Sequence, residues 1–259
     1  MIYIDVKNVS KNFNKNKVIS NVSIQVDQGR TIGIVGNNGS GKTVLLKMIC
    51  GLFLPTEGKV AVKGKVIGKD IVFPDSMGLI IETPGFNASY SGYRNLKLLA
   101  DITKRATKED IREVMKLVGL NPDNKKHVAK YSLGMRQRLA LAQAIMENPE
   151  LLILDEPFNG LDKEGINEMR HVLLDMKAEG KTIIMTSHNA EDIDILCDEV
   201  YEMESGKIMN VNEQNMVNEE ESSRNIVREN MTRETVVPTV VQDKIDQAFR
   251  KIKDSTKTK

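Results

Sequence analysis

The 259-residue sequence predicts an α/β fold, with strand–helix–strand units around a largely parallel sheet. An antiparallel β region opens it, and a helical insertion falls at about 83–148. Three observations carry the prediction. TIGIVG is a short apolar strand that runs straight into NNGSGKTVLLKMICGL, a glycine-rich loop opening a helix. LLILD and KTIIMTS are unbroken runs rich in Ile and Leu, the pattern of strands buried on both faces. Between them, INEMRHVLLDMKAEG has apolar residues at helical spacing and is closed by Gly180.

The other elements follow in order. MIYIDVKNV alternates Ile2, Ile4 and Val6 with polar residues, as a half-buried strand does, and VISNVSIQV alternates likewise. GKVAVKGKVIGKD is hairpin material punctuated by Gly and Lys. After the apolar run MGLII the texture turns helical through YRNLKLLADI, KEDIREVMKLVGL and SLGMRQRLALAQAIM. EVYEMESGKIM reads as a closing hairpin, which ends the main unit at 1–210. The remainder, 211–259, is polar. In it Ile245, Ala248, Phe249 and Ile252 share one face of a short amphipathic helix at 243–253. Such a segment suits a membrane surface or a partner, or stays a solvated tail.

Composition excludes several classes. With 37 basic and 36 acidic residues, the net charge of +1 cannot support nucleic-acid binding by bulk electrostatics. The longest apolar runs fall far short of the roughly 20 residues of a spanning helix. MIYIDVKNVSKNFN lacks the basic-then-apolar pattern of a leader. The expectation is a cytosolic chain, unless a partner holds it at a membrane. Cys50 and Cys197, in apolar or helical contexts, read as free buried thiols.

The strongest motif is Gly36-Asn37-Asn38-Gly39-Ser40-Gly41-Lys42-Thr43, matching G-x-x-x-x-G-K-[ST] between a strand and a helix. Its glycines let successive N–H groups turn toward phosphate oxygens, and the helix start adds its positive end. Lys42 would reach the β- and γ-phosphates, and the Thr43 hydroxyl would bind Mg²⁺. Asp155 and Glu156 end the strand LLILD, where a carboxylate can face the same crevice. Asp155 suits the Mg²⁺ shell and Glu156 the attacking water, the alternative being a turn carboxylate ahead of Pro157. A second helix start, at Tyr131-Ser132-Leu133-Gly134-Met135, also suits an anion. It is spare unless it serves a nucleotide on another subunit.

These segments together resemble the ATP-binding cassette (ABC) ATPases from residue 2 to about 210. The resemblance implies a phosphate-loop fold with an antiparallel β subdomain, a RecA-like core and a helical signature subdomain. Residues 36–43, followed by Val44, match the Walker A loop, and 151–156 match the Walker B strand with the catalytic glutamate, Glu156. Residues 131–135 match the signature, Asn159 to Asp162 the D-loop, and His188 the switch histidine. Phe13 matches the adenine-stacking aromatic, or is a core residue. The implied ligands are ATP and Mg²⁺. The implied partners are a multi-span permease and a second ATP-binding subunit, identical or paralogous, with no nucleic acid. An ABC ATPase acting on ribosomes or DNA is a rival reading, as is an exporter of lipids or other drugs.

Two departures stand out. The usual signature is Leu-Ser-Gly-Gly-Gln, and here Leu133 and Met135 replace a glycine and the glutamine, while Ser132 and Gly134 remain. The position before the helical insertion, normally glutamine, is Glu82. IIETPGF and YSLGMRQRL together resemble ATPases of bacterial exporters for lantibiotics and bacitracin. In that setting Glu82 faces Mg²⁺ and the γ-phosphate, or is paired with a basic residue in a structural role.

Overall fold

The computed structural model describes residues 1–82 and 85–211. The helix expected at 243–253 lies outside the described residues. Two long strands, β1 (Ile2–Phe13) and β2 (Asn16–Asp27), form an antiparallel pair. With β4 (Glu57–Val62) and β5 (Lys65–Val66) they make a four-stranded antiparallel sheet in the order β2-β1-β4-β5. The second sheet has six strands, in the order β10-β9-β3-β8-β7-β6. These are β3 (Thr31–Val35), β6 (Met77–Ile80), β7 (Leu151–Asp155), β8 (Thr182–Thr186), β9 (Glu199–Glu204) and β10 (Lys207–Asn210). All their pairings are parallel except β9 with β10.

The apolar runs behave as their composition requires. Leu151 and Ile153 of β7 enter one core with Ile32, Ile34 and the strands of the first sheet. Leu152 and Leu154 enter the other core, on the opposite face of the same strand. A strand covered on both faces needs apolar residues at every position, so alternation disappears. The first core lies under α1 (Lys42–Ile49), which contributes Leu45, Leu46, Met48 and Ile49. The second gathers α2 (Gly92–Thr103), α3 (Lys108–Leu117), α4 (Leu133–Ile145) and α5 (Lys163–Ala178). The three helices α2, α3 and α4 occupy the chain between β6 and β7, with a 3-10 turn at Val128–Lys130.

Helix starts are specified locally. Ser91 accepts from Arg94 N to cap α2, and Thr107 with Asp110 forms a capping box on α3. Ser132 caps α4 and Asp162 caps α5, each accepting a backbone N–H three residues on. A short helix, α6 (Ala190–Leu196), went unrecognised in the sequence. Its seven residues are too few to establish a helical period, and Asn189 caps it instead. The start of α1 differs from all of these. Gly41 stands at its N-cap with φ of 110° and no side-chain cap, leaving the first N–H groups of the helix without such a partner.

Both cysteines are free. Cys50 is buried as expected, whereas Cys197 is only half-buried as a residue. Burial nonetheless pushes its thiol up to about 12. The thiol packs where a side chain on Gly33 would stand.

One close approach fixes the helical layer against the sheet. A Cβ on Gly78 of β6 would lie 1.9 Å from the Ala144 carbonyl oxygen of α4. We expect Gly78→Ala to lose about 1–3 kcal/mol by overpacking. Urea unfolding checks this, and an unchanged midpoint would mean that α4 can withdraw freely.

Candidate active site

Three parallel strands end at one level, and the sequence places its polar groups there. Register pairs Asp155 with Thr186 and Ile34 with Thr186, so the ends of β3, β8 and β7 are adjacent. The carboxyl ends of parallel strands form a crevice of the kind in which α/β folds bind ligands.

The loop after β3 closes on itself. Lys42 is buried, and its ammonium donates to the Gly36 carbonyl at 2.7 Å and the Asn37 carbonyl at 3.1 Å. Burial holds its pKa below the usual lysine range, opposed by the charges of Glu156 and Asp155. Gly36 adopts φ of 146°, and a Cβ there would fall 2.1 Å from the Met203 carbonyl oxygen. Only glycine fits that bend. Thr43 Oγ1 donates to Asp155 Oδ2 at 2.6 Å, and Thr186 Oγ1 donates to Asp155 Oδ1 at 2.7 Å. The Thr186 hydroxyl also accepts from Glu156 N at 2.9 Å. Thr186 was not identified from sequence, and its one signal was a hydroxyl at the tip of an apolar strand.

Glu156 carries the strongest electrostatic perturbation of the site. Its carboxyl is pushed up to about 7, first by burial, with the charge of Asp155 acting in the same direction. Lys42 and the His188 N–H pull the other way. Its backbone has φ of 50°, an uncommon conformation for a residue with a side chain. His188 Nε2 lies 2.8 Å from Glu156 Oε1, yet that oxygen has no aligned hydrogen-bond donor. The contact is therefore one of proximity. Burial, with Lys42 nearby, lowers the His188 pKa, so its imidazole is neutral at pH 7.

Two cavities meet at the Asp155–Glu156 pair. One of ≈ 260 Å³ is lined by Val18, Asn38, Gly39, Gly41, Lys42, Thr43, Val44 and His188 as well as the pair itself. The other, of ≈ 320 Å³, is lined by Glu82, Phe86, Leu133, Arg136, Gln137 and Asn159 with the same two carboxylates. A larger groove of ≈ 1210 Å³ behind β1, β2 and β10 contains none of these groups, so size does not mark the site. Among the described residues, three buried side-chain polar atoms lack a hydrogen-bond partner, and Ser40 Oγ and Glu156 Oε1 are two of them. Uncapped N–H groups on α1, a buried ammonium and an orphaned hydroxyl suit a polyphosphate. Thr43 and Asp155 offer the oxygen donors that Mg²⁺ prefers, and no cluster of three or more metal-ligating side chains occurs among the described residues. That balance suits an ion completed by substrate phosphates.

The predicted residues do not all converge. Residues 36–44, Asp155, Glu156 and His188 come together, and Glu82 reaches the second cavity. There its carboxylate pairs with Lys47. Phe13 is not a core residue: it is 38% exposed and lies edge-on to Phe53, with ring centroids 5.3 Å apart. It lines neither cavity. Ser132, Gly134 and Met135 sit at the start of α4, where Ser132 Oγ accepts from Met135 N at 3.1 Å. The signature turn packs on the D-loop, since a Cβ on Gly160 would meet Leu133 Cγ at 2.3 Å. Asp162 Oδ1 accepts from Gly165 N at 2.9 Å. His127 and His171 are exposed and apart from the site. A network missed from sequence supports the His188 loop. Arg170 Nε donates to Asp192 Oδ1 at 2.8 Å, and Ser187 Oγ donates to Asp192 Oδ2 at 2.8 Å.

Comparison with known proteins decides the family. Residues 19–159 match the family model described as ABC transporter. The chain belongs to the ABC transporter family. It is an ATPase cassette of that family. An uncharacterized ABC transporter ATP-binding protein of Bacillus subtilis, YybJ, is 46% identical over 79% of this chain and 94% of its own length. The bacitracin transport ATP-binding protein BcrA of Enterococcus faecalis is 39% identical over 80% of this chain and 68% of its own. The lantibiotic transport ATP-binding protein SrtF of Streptococcus pyogenes is 33% identical over 80% and 89%. The dimeric structure of a bacterial ABC transporter cassette shares the fold, with a TM-score of 0.72 at 22% identity. It covers 79% of this chain and 96% of its own.

The Glu156 environment has a consequence for stability in the metal- and nucleotide-free protein. Below its ordinary pKa of 4.5 the carboxyl is protonated in both folded and unfolded chains. Between about 4.5 and 7 the unfolded chain ionises first, so stability is lost as pH rises through that window. Glu156→Gln has no such loss. We expect its thermal midpoint, measured in EDTA, to exceed that of the unaltered protein by a margin that grows from pH 4.5 to 7 and then levels off. A constant margin would place the Glu156 carboxyl in solvent.

Replacing Thr186 by Val strands Asp155 Oδ1 and Glu156 N. We expect a loss of about 1–3 kcal/mol in chemical denaturation.

Proposed function

We propose that this chain is the ATP-hydrolysing subunit of an exporter, powering a separate multi-span membrane permease. Its cargo is an antimicrobial peptide or related amphipathic compound, and its role is immunity or resistance. The observation that carries the catalytic half is the Asp155–Glu156 strand end, which opens on both cavities. The cargo rests on the bacitracin and lantibiotic transport relatives. No helix among the described residues is long and apolar enough to cross a membrane.

The chain's own groups divide the work. Uncapped N–H groups of α1, Lys42 and the Ser40 hydroxyl bind the phosphates. Thr43 and Asp155 would hold Mg²⁺, which when bound would neutralise phosphate charge. Glu156, with its pKa near 7, orients the attacking water and takes its proton. The neutral His188 imidazole, beside Glu156, faces the same cavity and contacts the γ-phosphate. Ser132 accepts from its own helix, which leaves its O–H to donate, and with the exposed start of α4 it caps a γ-phosphate held by a second cassette. Closure of two cassettes excludes water and completes both sites. Phe13, exposed at the end of β1, stacks on the adenine.

Glu156→Gln should accumulate as an ATP-bound dimer at saturating Mg-ATP, read by light scattering. A variant that stays monomeric removes Glu156 from catalysis. Lys42→Ala should lose nucleotide binding, and unchanged affinity would refute the phosphate-loop role. The transporter reading is tested by gentle detergent purification from native cells. A stoichiometric partner with about six apolar spans supports it. Ribosomal or other soluble partners alone would overturn it.

A further inference from the structure

Glu82 and Glu156 occupy equivalent places on adjacent strands. Ile80 pairs with Leu154 in the β6–β7 ladder, and each glutamate stands two residues beyond that pair. Both have left-handed backbones, with φ of 60° and 50°. Both side chains line the ≈ 320 Å³ cavity together with Asp155. Three carboxylates on one cavity repel one another unless a cation intervenes. For Glu82 that cation is Lys47, in the last turn of α1.

The two halves of this pair differ in freedom. The Lys47 side chain is 18% exposed, and its ammonium lies 5.4 Å from the centroid of the Phe53 ring. The Glu82 side chain is 64% exposed. Lys47 is thus the packed half and Glu82 the exposed one. Lys47 itself does not line the cavity; Arg136, the cation that does, already donates to the Tyr131 carbonyl at 2.8 Å.

We propose that Lys47 is a positioning residue for Glu82: the ion pair holds the carboxylate at the α1 rim of the cavity, and its opening releases Glu82 toward the cation-binding end at Asp155. This rests on the reading of the site as a Mg-nucleotide site. A carboxylate engaged by an ammonium is a weaker ligand for a divalent ion, because each cation competes for the same oxygens. Lys47 therefore lowers the metal affinity of the resting site. Any movement that parts Glu82 from Lys47 raises it. The position of the β6 end thereby governs how much negative charge the site presents.

The test is Mn²⁺ binding by electron paramagnetic resonance to the full chain with a non-hydrolysable ATP analogue. Lys47→Met should tighten Mn²⁺ about two- to fivefold, the range of a partly exposed ion pair. Lys47→Gln, carried in parallel as a second truncation, should do the same, and Lys47→Arg should match the unaltered protein. In Lys47→Met/Glu82→Gln the tightening should vanish, leaving the affinity of Glu82→Gln alone. Unchanged affinity in both truncations, or tightening that persists without Glu82, overturns the proposal. A merely structural pair would instead lower the thermal midpoint and leave Mn²⁺ affinity alone. Absence of Mn²⁺–nucleotide binding in the unaltered protein would sink the site reading itself, a result distinct from those.

Discussion

The site depends on one carboxylate held by two hydroxyls. Asp155 accepts from Thr43 at the start of α1 and from Thr186 at the end of β8, so three segments remote in sequence are tied at one point. The tie works because β7 and β8 are buried on both faces and cannot slide. A one-residue slip would exchange the two cores that Leu152 and Ile153 enter. Packing thus provides the precision, and the polar groups at the strand ends inherit it.

Electrostatics then separates the roles of neighbouring groups. Asp155 satisfies both oxygens through hydroxyl donors, while Glu156 leaves Oε1 without one. Adjacent carboxylates in one crevice thereby differ in their hydrogen bonding, and burial pushes the Glu156 carboxyl up to about 7. Lys42 balances both at the expense of its own hydration. Lys42 and Glu156 line one space, with the orphaned Ser40 hydroxyl in the adjoining loop, so a polyanion with its counter-ion suits that end of the sheet.

The fold was legible in the sequence because its periods are clean. Continuous apolar runs gave the buried strands, alternation gave β1 and β2, and the phosphate loop announced itself by spacing. What stayed hidden was pairing across distance. Lys47 and Glu82 are 35 residues apart, and nothing local to either names the other. The sequence left Glu82 two roles, metal-facing or paired with a base. The structure contains the pair and also sets its Glu82 half on the cavity wall. Arg170 and Asp192 were missed for the same reason, being ordinary charged helix residues until the fold buries them together. Phe13 could not be placed because aromaticity alone does not distinguish a stacking platform from a core residue.

The contact between Leu133 and Gly160 reaches beyond this one chain. A side chain at 160 would occupy the space of Leu133, so the two positions form a single steric unit split across 27 residues of sequence. Drift at either is then contingent on the other. A lineage that enlarges residue 160 must first shrink residue 133, and one that carries a branched residue at 133 is committed to glycine at 160. The atypical signature and the D-loop are in that sense one steric unit, and grafting either alone into another cassette would import half of a joint.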